Sequence, residues 1–224
     1  VDHDGKISGV SFDYAGLDVS DVLRGMMAFE RAGTVQDLRA AQHGFVGFTQ
    51  NFASGDDQGH IHYSGYTGTP CRGYLPHPGG VWAAGADPRR LLDGTRYGAF
   101  SIGLTTAGVP DESANASDPQ RCVIPFDAWP AQLDPAEGFV FTANNDFGGT
   151  SLDGNLANDA YYVGGPWDPG YRGRSIRDRP ATEVNARTAS IDAMASLQAE
   201  HRSQLGLRYV PFLLEVIARA RTLA

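Results

Sequence analysis

Residues 138–176, GFVFTANNDFGGTSLDGNLANDAYYVGGPWDPGYRGRSI, constrain this chain more than any other stretch. Phe139-Val140-Phe141 is an apolar, β-prone run. It stops at Ala143-Asn144-Asn145-Asp146, whose polar side chains rarely sit inside a strand. The pattern predicts a strand over 138–143 that delivers two amides to the rim of a sheet. A Gly/Asn/Asp-rich loop follows, then Tyr161-Tyr162, Trp167, and Tyr171-Arg172 opening a helix.

The chain has 224 residues, enough for one large domain or part of a larger one. At 42% hydrophobic content it can bury a core. A net charge of -8 argues against a nucleic-acid partner, because phosphate binding needs a basic surface. No apolar run approaches the roughly 20 residues that span a bilayer. Cys71 and Cys122 can form one disulfide or remain two thiols. The first methionine is Met26 and no signal peptide opens the chain, so it reads as a processed piece of a longer protein.

Asp2-His3-Asp4-Gly5 mimics part of a calcium-binding EF-hand loop, but Ser11 stands where that loop needs a bidentate Glu. The segment reads instead as a turn feeding a strand over 6–14. Residues 18–31 predict a helix, capped by Asp18 or Ser20, with Val19, Val22, Leu23, Met26 and Phe29 as a buried stripe. Thr34-Val35-Gln36-Asp37 resembles a capping box and starts a second helix ending near Gly44. Strands follow over 45–53 and 61–64, joined by a Gly/Asp-rich turn. His60 and His62 would share one exposed strand face; a zinc site could use them, but no third ligand is evident nearby. Residues 97–105 form a further candidate strand. Beyond Arg172 helices dominate. Ser190 is a cap, Gly206 breaks the run, and Pro211 sits in the first turn of the last helix.

Five ordered segments carry a resemblance. They are Asn51…Asp56-x-x-Gly59, Pro70-x-Arg72, Asp134-Pro135-x-x-Gly138, Ala143-Asn144-Asn145 and Trp167…Arg172. Together they resemble the penicillin acylase (penicillin amidase) family of N-terminal-nucleophile amide hydrolases. Ile61, Tyr63 and Gly68 also match at their spacing. Two departures stand out. The loop between Asn145 and Tyr161 is longer here, and Gln198-Ala199-Glu200 replaces a Gln-x-Asp.

The resemblance implies an α+β fold, part of an αββα N-terminal-nucleophile domain. Residues 1–224 would be one incomplete segment from the middle of the β-subunit. In the family an N-terminal serine, freed by autoproteolysis of a zymogen, attacks the amide carbon while its own α-amine acts as base. That serine would lie outside this chain; Ser8 and Ser11 match internal positions and are not candidates. Asn144 matches the family's side-chain oxyanion donor. Arg172 matches an arginine that orders the site, and Gln50 a position bordering the acyl pocket. Asp56 reads as structural, holding the hairpin turn.

The implied substrate is a small N-acyl compound: a β-lactam side chain, an acyl-homoserine lactone or a related amide. The implied partners are the α-subunit and the serine-bearing start of the β-subunit. The resemblance leaves room for calcium and points to a periplasmic or extracellular location. A non-catalytic fragment or binding module with the same fold is the alternative from a different functional class.

Overall fold

The computed structural model describes residues 9–15, 22–48, 50–98, 100–115 and 118–223. The EF-hand-like stretch, Val19, and the caps Asp18 and Ser20 lie outside these residues. The described residues form a mixed α+β structure. In chain order it contains α1 (Val22–Glu30), α2 (Val35–Gln42), β1 (Phe52–Gly55), β2 (Ile61–Ser64), β3 (Ala131–Leu133), α3 (Tyr171–Ala186), α4 (Ile191–Gln198) and α5 (Gln204–Leu223). The strands make one antiparallel sheet in the order β1-β2-β3.

The N-terminal helices follow their local signals closely at one end and loosely at the other. Thr34 Oγ1 accepts from the Asp37 amide at 3.1 Å, and Asp37 Oδ2 accepts from the Thr34 amide at 3.1 Å, closing the capping box of α2. The expected apolar stripe of α1 is only partly realised. Val22 and Phe29 are half-buried, but Leu23, Met26 and Met27 face solvent. The buried position is Gly25, where a Cβ would lie 2.8 Å from the Phe45 ring. The two helices pack through this gap, which apolar periodicity cannot reveal.

The hairpin is shorter than the sequence predicts. β1 begins at Phe52, whereas residues 45–48 leave the sheet so that Phe45 and Val46 can enter the core. Phe52 pairs with Ser64 and Gly55 with Ile61. Asp56 holds the turn as expected: its carboxylate accepts from the amides of Gln58, His60 and, across to α2, Val35. At the β2–β3 edge, Asp134 accepts from the Ile61 amide at 2.9 Å and meets His60 Nδ1 at 2.7 Å. The two histidines do not share an exposed face. His60 precedes the strand and is only half-buried, while His62 is buried beneath α2.

Cys71 and Cys122 form a disulfide that joins segments 51 residues apart. Backbone bonds from Cys71 to Cys122 and from Ile124 to Thr69 run alongside it. Tyr66, Ile124 and Trp129 pack around the bridge as the main apolar cluster. No strand forms over 9–15, or among the described residues of 97–105, where an isolated bridge pairs Leu104 with Pro110.

The C-terminal helices also correct the sequence expectation. Ser190 caps α4, its Oγ accepting from the Ala193 amide. Gly206 and Pro211, however, both lie inside the single 20-residue α5. A helix tolerates a glycine for about 1 kcal/mol, and a proline where its missing N–H can be absorbed. α5 leaves Phe212, Leu214 and much of its apolar surface exposed. Among the described residues, no helix is long and apolar enough to cross a membrane.

Candidate active site

The amide-bearing turn is built by three neighbours. Residues 139–142 are half-buried and form neither helix nor turn, but no strand forms there among the described residues. This corrects the expected strand over 138–143. An apolar run sets an extended course, whereas a strand also needs a partner edge. The segment starts at Gly138, with φ of 74°, where a Cβ would lie 3.2 Å from Val184 of α3. It ends at Asn144, whose φ of 55° is left-handed. Asparagine is among the few L-residues that adopt this region readily.

α3 supplies the second side. Its first turn starts after Gly170, and Arg172 is its second residue. Arg172 Nη2 donates to the Ala143 carbonyl and to Asn144 Oδ1, both at 2.6 Å. Both candidate catalytic residues therefore meet directly. The contact also sets the amide's orientation. With Oδ1 occupied by a cation, the Asn144 NH2 group is turned away from Arg172, and no acceptor holds it among the described residues. A donor so presented is available to a developing negative charge without titrating itself.

Sequence reasoning missed the third support. The Asp168 amide donates to the Asn144 carbonyl at 3.1 Å, within a bridge pairing Asn145 with Asp168. Asn145 is not an idle neighbour: its Oδ1 accepts from the Ala143 amide at 3.1 Å. Gly173 is buried against this side chain, and a Cβ there would lie 3.3 Å from Asn145 Oδ1. The visible signal was a glycine in the first turn of a helix, a costly residue unless close approach requires it.

Gln50 is exposed, and no hydrogen bond among the described residues joins it to Asn144 or Arg172. Its neighbour Asn51 is engaged instead: Tyr63 of β2 donates its hydroxyl to Asn51 Oδ1 at 2.6 Å. Burial pushes the Tyr63 phenol up to about 12, so it stays a neutral donor. Asp146 follows the turn. Burial opposes its charge, but the Ser151 hydroxyl and amide and the Gly148 amide hold its carboxyl below the usual range. Among the described residues, no three His, Cys, Asp or Glu side chains gather to hold a metal ion. Asp146 accepts from Ser151, and Asp168 from the Gly170 amide.

A neutral amide donor oriented by an arginine is one component that amide hydrolysis can use, a partner for an oxyanion. The penicillin amidase family model matches residues 2–224, and the chain belongs to that family. No match to it was found among curated proteins.

Proposed function

We propose that this chain carries the oxyanion-binding half of an enzyme that hydrolyses N-acyl amides. The nucleophile is an N-terminal serine on another segment of the same precursor. That serine's hydroxyl adds to the amide carbon while its α-amine takes the proton. The carbonyl oxygen becomes an oxyanion, which receives the Asn144 NH2. Collapse expels the amine and leaves an acyl-enzyme that water then cleaves. Arg172 acts through Asn144, holding Oδ1 so that nitrogen rather than oxygen faces the substrate. The observation that carries this reading is the 2.6 Å contact from Arg172 Nη2 to Asn144 Oδ1.

The αββα architecture belongs to the same proposal. Residues 139–142 are apolar, half-buried and unladdered among the described residues, which supports pairing with a strand of the companion segment. The disulfide supports a periplasmic or extracellular location, where such bonds persist.

Asn144→Ala in the complete, processed enzyme tests the role. The oxyanion exists only at the transition state, so kcat should fall roughly 100-fold or more while KM changes little. A folded variant with near-normal kcat would refute it.

A further inference from the structure

The helix that carries Arg172 starts without a cap of its own. The N-cap of α3, Gly170, has no side chain, and the first turn holds no acid. Gly170 has a left-handed φ of 82°, so the chain bends sharply into the helix there. What fixes this start lies two residues earlier. Asp168 Oδ1 accepts from the Gly170 amide at 3.1 Å, while the Gly170 carbonyl accepts from the Arg174 amide at 2.8 Å. Pro169 stands between Asp168 and Gly170, and its ring fixes φ, so little torsional freedom separates the carboxylate from the helix.

The backbone of Asp168 reaches the other way, to the donor's turn. Its amide donates to the Asn144 carbonyl at 3.1 Å, within the bridge from Asn145 to Asp168. The preceding residue is anchored as well: Trp167 packs edge-on against Phe147, ring centroids 5.1 Å apart. The contacts then close on themselves. Asn144 holds Asp168, Asp168 holds Gly170, and two residues later Arg172 Nη2 returns to Asn144 Oδ1 at 2.6 Å. Cavities of about 710 Å³ and about 980 Å³ flank this start, the first lined by Arg172 and the second by Arg174 and Arg177. Asp168 lines both.

We propose that Asp168 is a positioning residue for the reaction: its carboxylate, serving as an acceptor rather than as a charge, seats the first turn of α3 so that Arg172 reaches Asn144. It acts on the oxyanion only through those two residues. This rests on the amidase reading above and deepens it. One hydrogen bond to a charged acceptor shifts the balance between seated and unseated turns roughly tenfold. Its loss takes a balance of about 10:1 to about 1:1, which halves the seated population.

The test uses the complete processed enzyme, with N-acyl-4-nitroanilides from acetyl to decanoyl as probes and thermal unfolding as the folding control. The unseated enzyme works at the rate of Arg172→Ala. Asp168→Ala should therefore lower kcat about 1.3-fold if Arg172→Ala costs twofold, and about twofold if it costs 100-fold, with KM unchanged. Asp168→Asn keeps an acceptor at the same reach and should restore kcat. In an Arg172→Ala background, Asp168→Ala should cost nothing further in kcat. A residue that only stabilised the loop would lower the melting temperature and leave the kcat of folded enzyme alone. Wild-type kcat in Asp168→Ala, an Asp168→Asn enzyme no faster than Asp168→Ala, or an undiminished loss in the Arg172→Ala background would each overturn the assignment.

Crystals of the same variants separate this inference from the amidase reading. Asp168→Ala should show Arg172 in two conformers, one of them away from Asn144 Oδ1, and Asp168→Asn a single conformer in contact. If the wild-type enzyme hydrolyses none of the anilides, the amidase reading falls, and the crystals decide the role of Asp168. A single, retained Arg172 contact in Asp168→Ala overturns it; a divided one supports it.

Discussion

Arg172→Ala is the substitution that most directly tests how the half-site works. Arg172 Nη2 makes two bonds of 2.6 Å, one to the Ala143 carbonyl and one to Asn144 Oδ1. A hydrogen bond to a charged group contributes roughly 1.5–3 kcal/mol net, and the exposure of Arg172 places it at the lower end. The bond to Oδ1 distinguishes an amide with NH2 facing the substrate from one with oxygen facing it. Losing about 1.5 kcal/mol of that bias takes the two orientations from roughly 13:1 to about 1:1, which halves the competent population. The ceiling is the loss of the donor itself, roughly 100- to 1000-fold. The expected fall in kcat therefore runs from about twofold, when only the orientation bias is lost, towards roughly 100-fold, when the donor is displaced altogether, with KM little changed.

Arg172→Lys should fall between, because an ammonium lacks the planar fork that reaches two acceptors together. The assay is steady-state hydrolysis of an N-acyl chromogenic amide, with thermal unfolding as the folding control. The decisive measurement is the double variant Asn144→Ala/Arg172→Ala. If Arg172 acts through Asn144, the double variant is barely slower than Asn144→Ala alone. Fully additive losses would refute the reasoning, as would an Arg172→Ala enzyme that keeps its kcat.

Asn145→Ala should lower stability by about 1 kcal/mol and reduce kcat by disturbing the turn, whereas Asn145→Asp keeps the acceptor for the Ala143 amide and should melt closer to wild type. Replacing both Cys71 and Cys122 with alanine opens a loop spanning 51 residues, and chain entropy puts the loss at about 4 kcal/mol, readable by denaturant unfolding. Burial, with Arg39 nearby, lowers the His62 pKa from 6.5, so the unfolded chain takes up that proton more readily. Its contribution is intact above about pH 6.5 and is lost as pH falls through the range below. His62→Phe should flatten that part of the stability-versus-pH curve, and an unchanged slope would show that His62 is not responsible.

The amides at residues 144–145, the capping box at 34–37, the Asp56 turn and the Ser190 cap were all legible in the sequence. Each is a local interaction between residues a few positions apart, so side-chain chemistry and spacing determine it. The strand at residues 61–64 was legible as an element, but not which of its side chains would be buried, since His62, read as exposed, lies in the core. The pairing of residues 139–142 was not. Whether an extended run becomes a strand depends on an edge contributed from elsewhere in the fold. The role of Gly25 and Gly173 was likewise hidden, because a missing side chain matters only where another element comes close.

Family resemblance singled out Asn144 and Arg172 separately. Their contact, 28 positions apart, depends on α3 packing against the turn. Tertiary packing also buried His62 while leaving His60 half-exposed, and turned Arg174 and Arg177 toward a cavity that no local spacing outlines. The sequence determined which groups could do chemistry, because that is a property of single residues. The tertiary structure decided which atom of the Asn144 amide faces outward, because that orientation is set by a cation arriving from a different element.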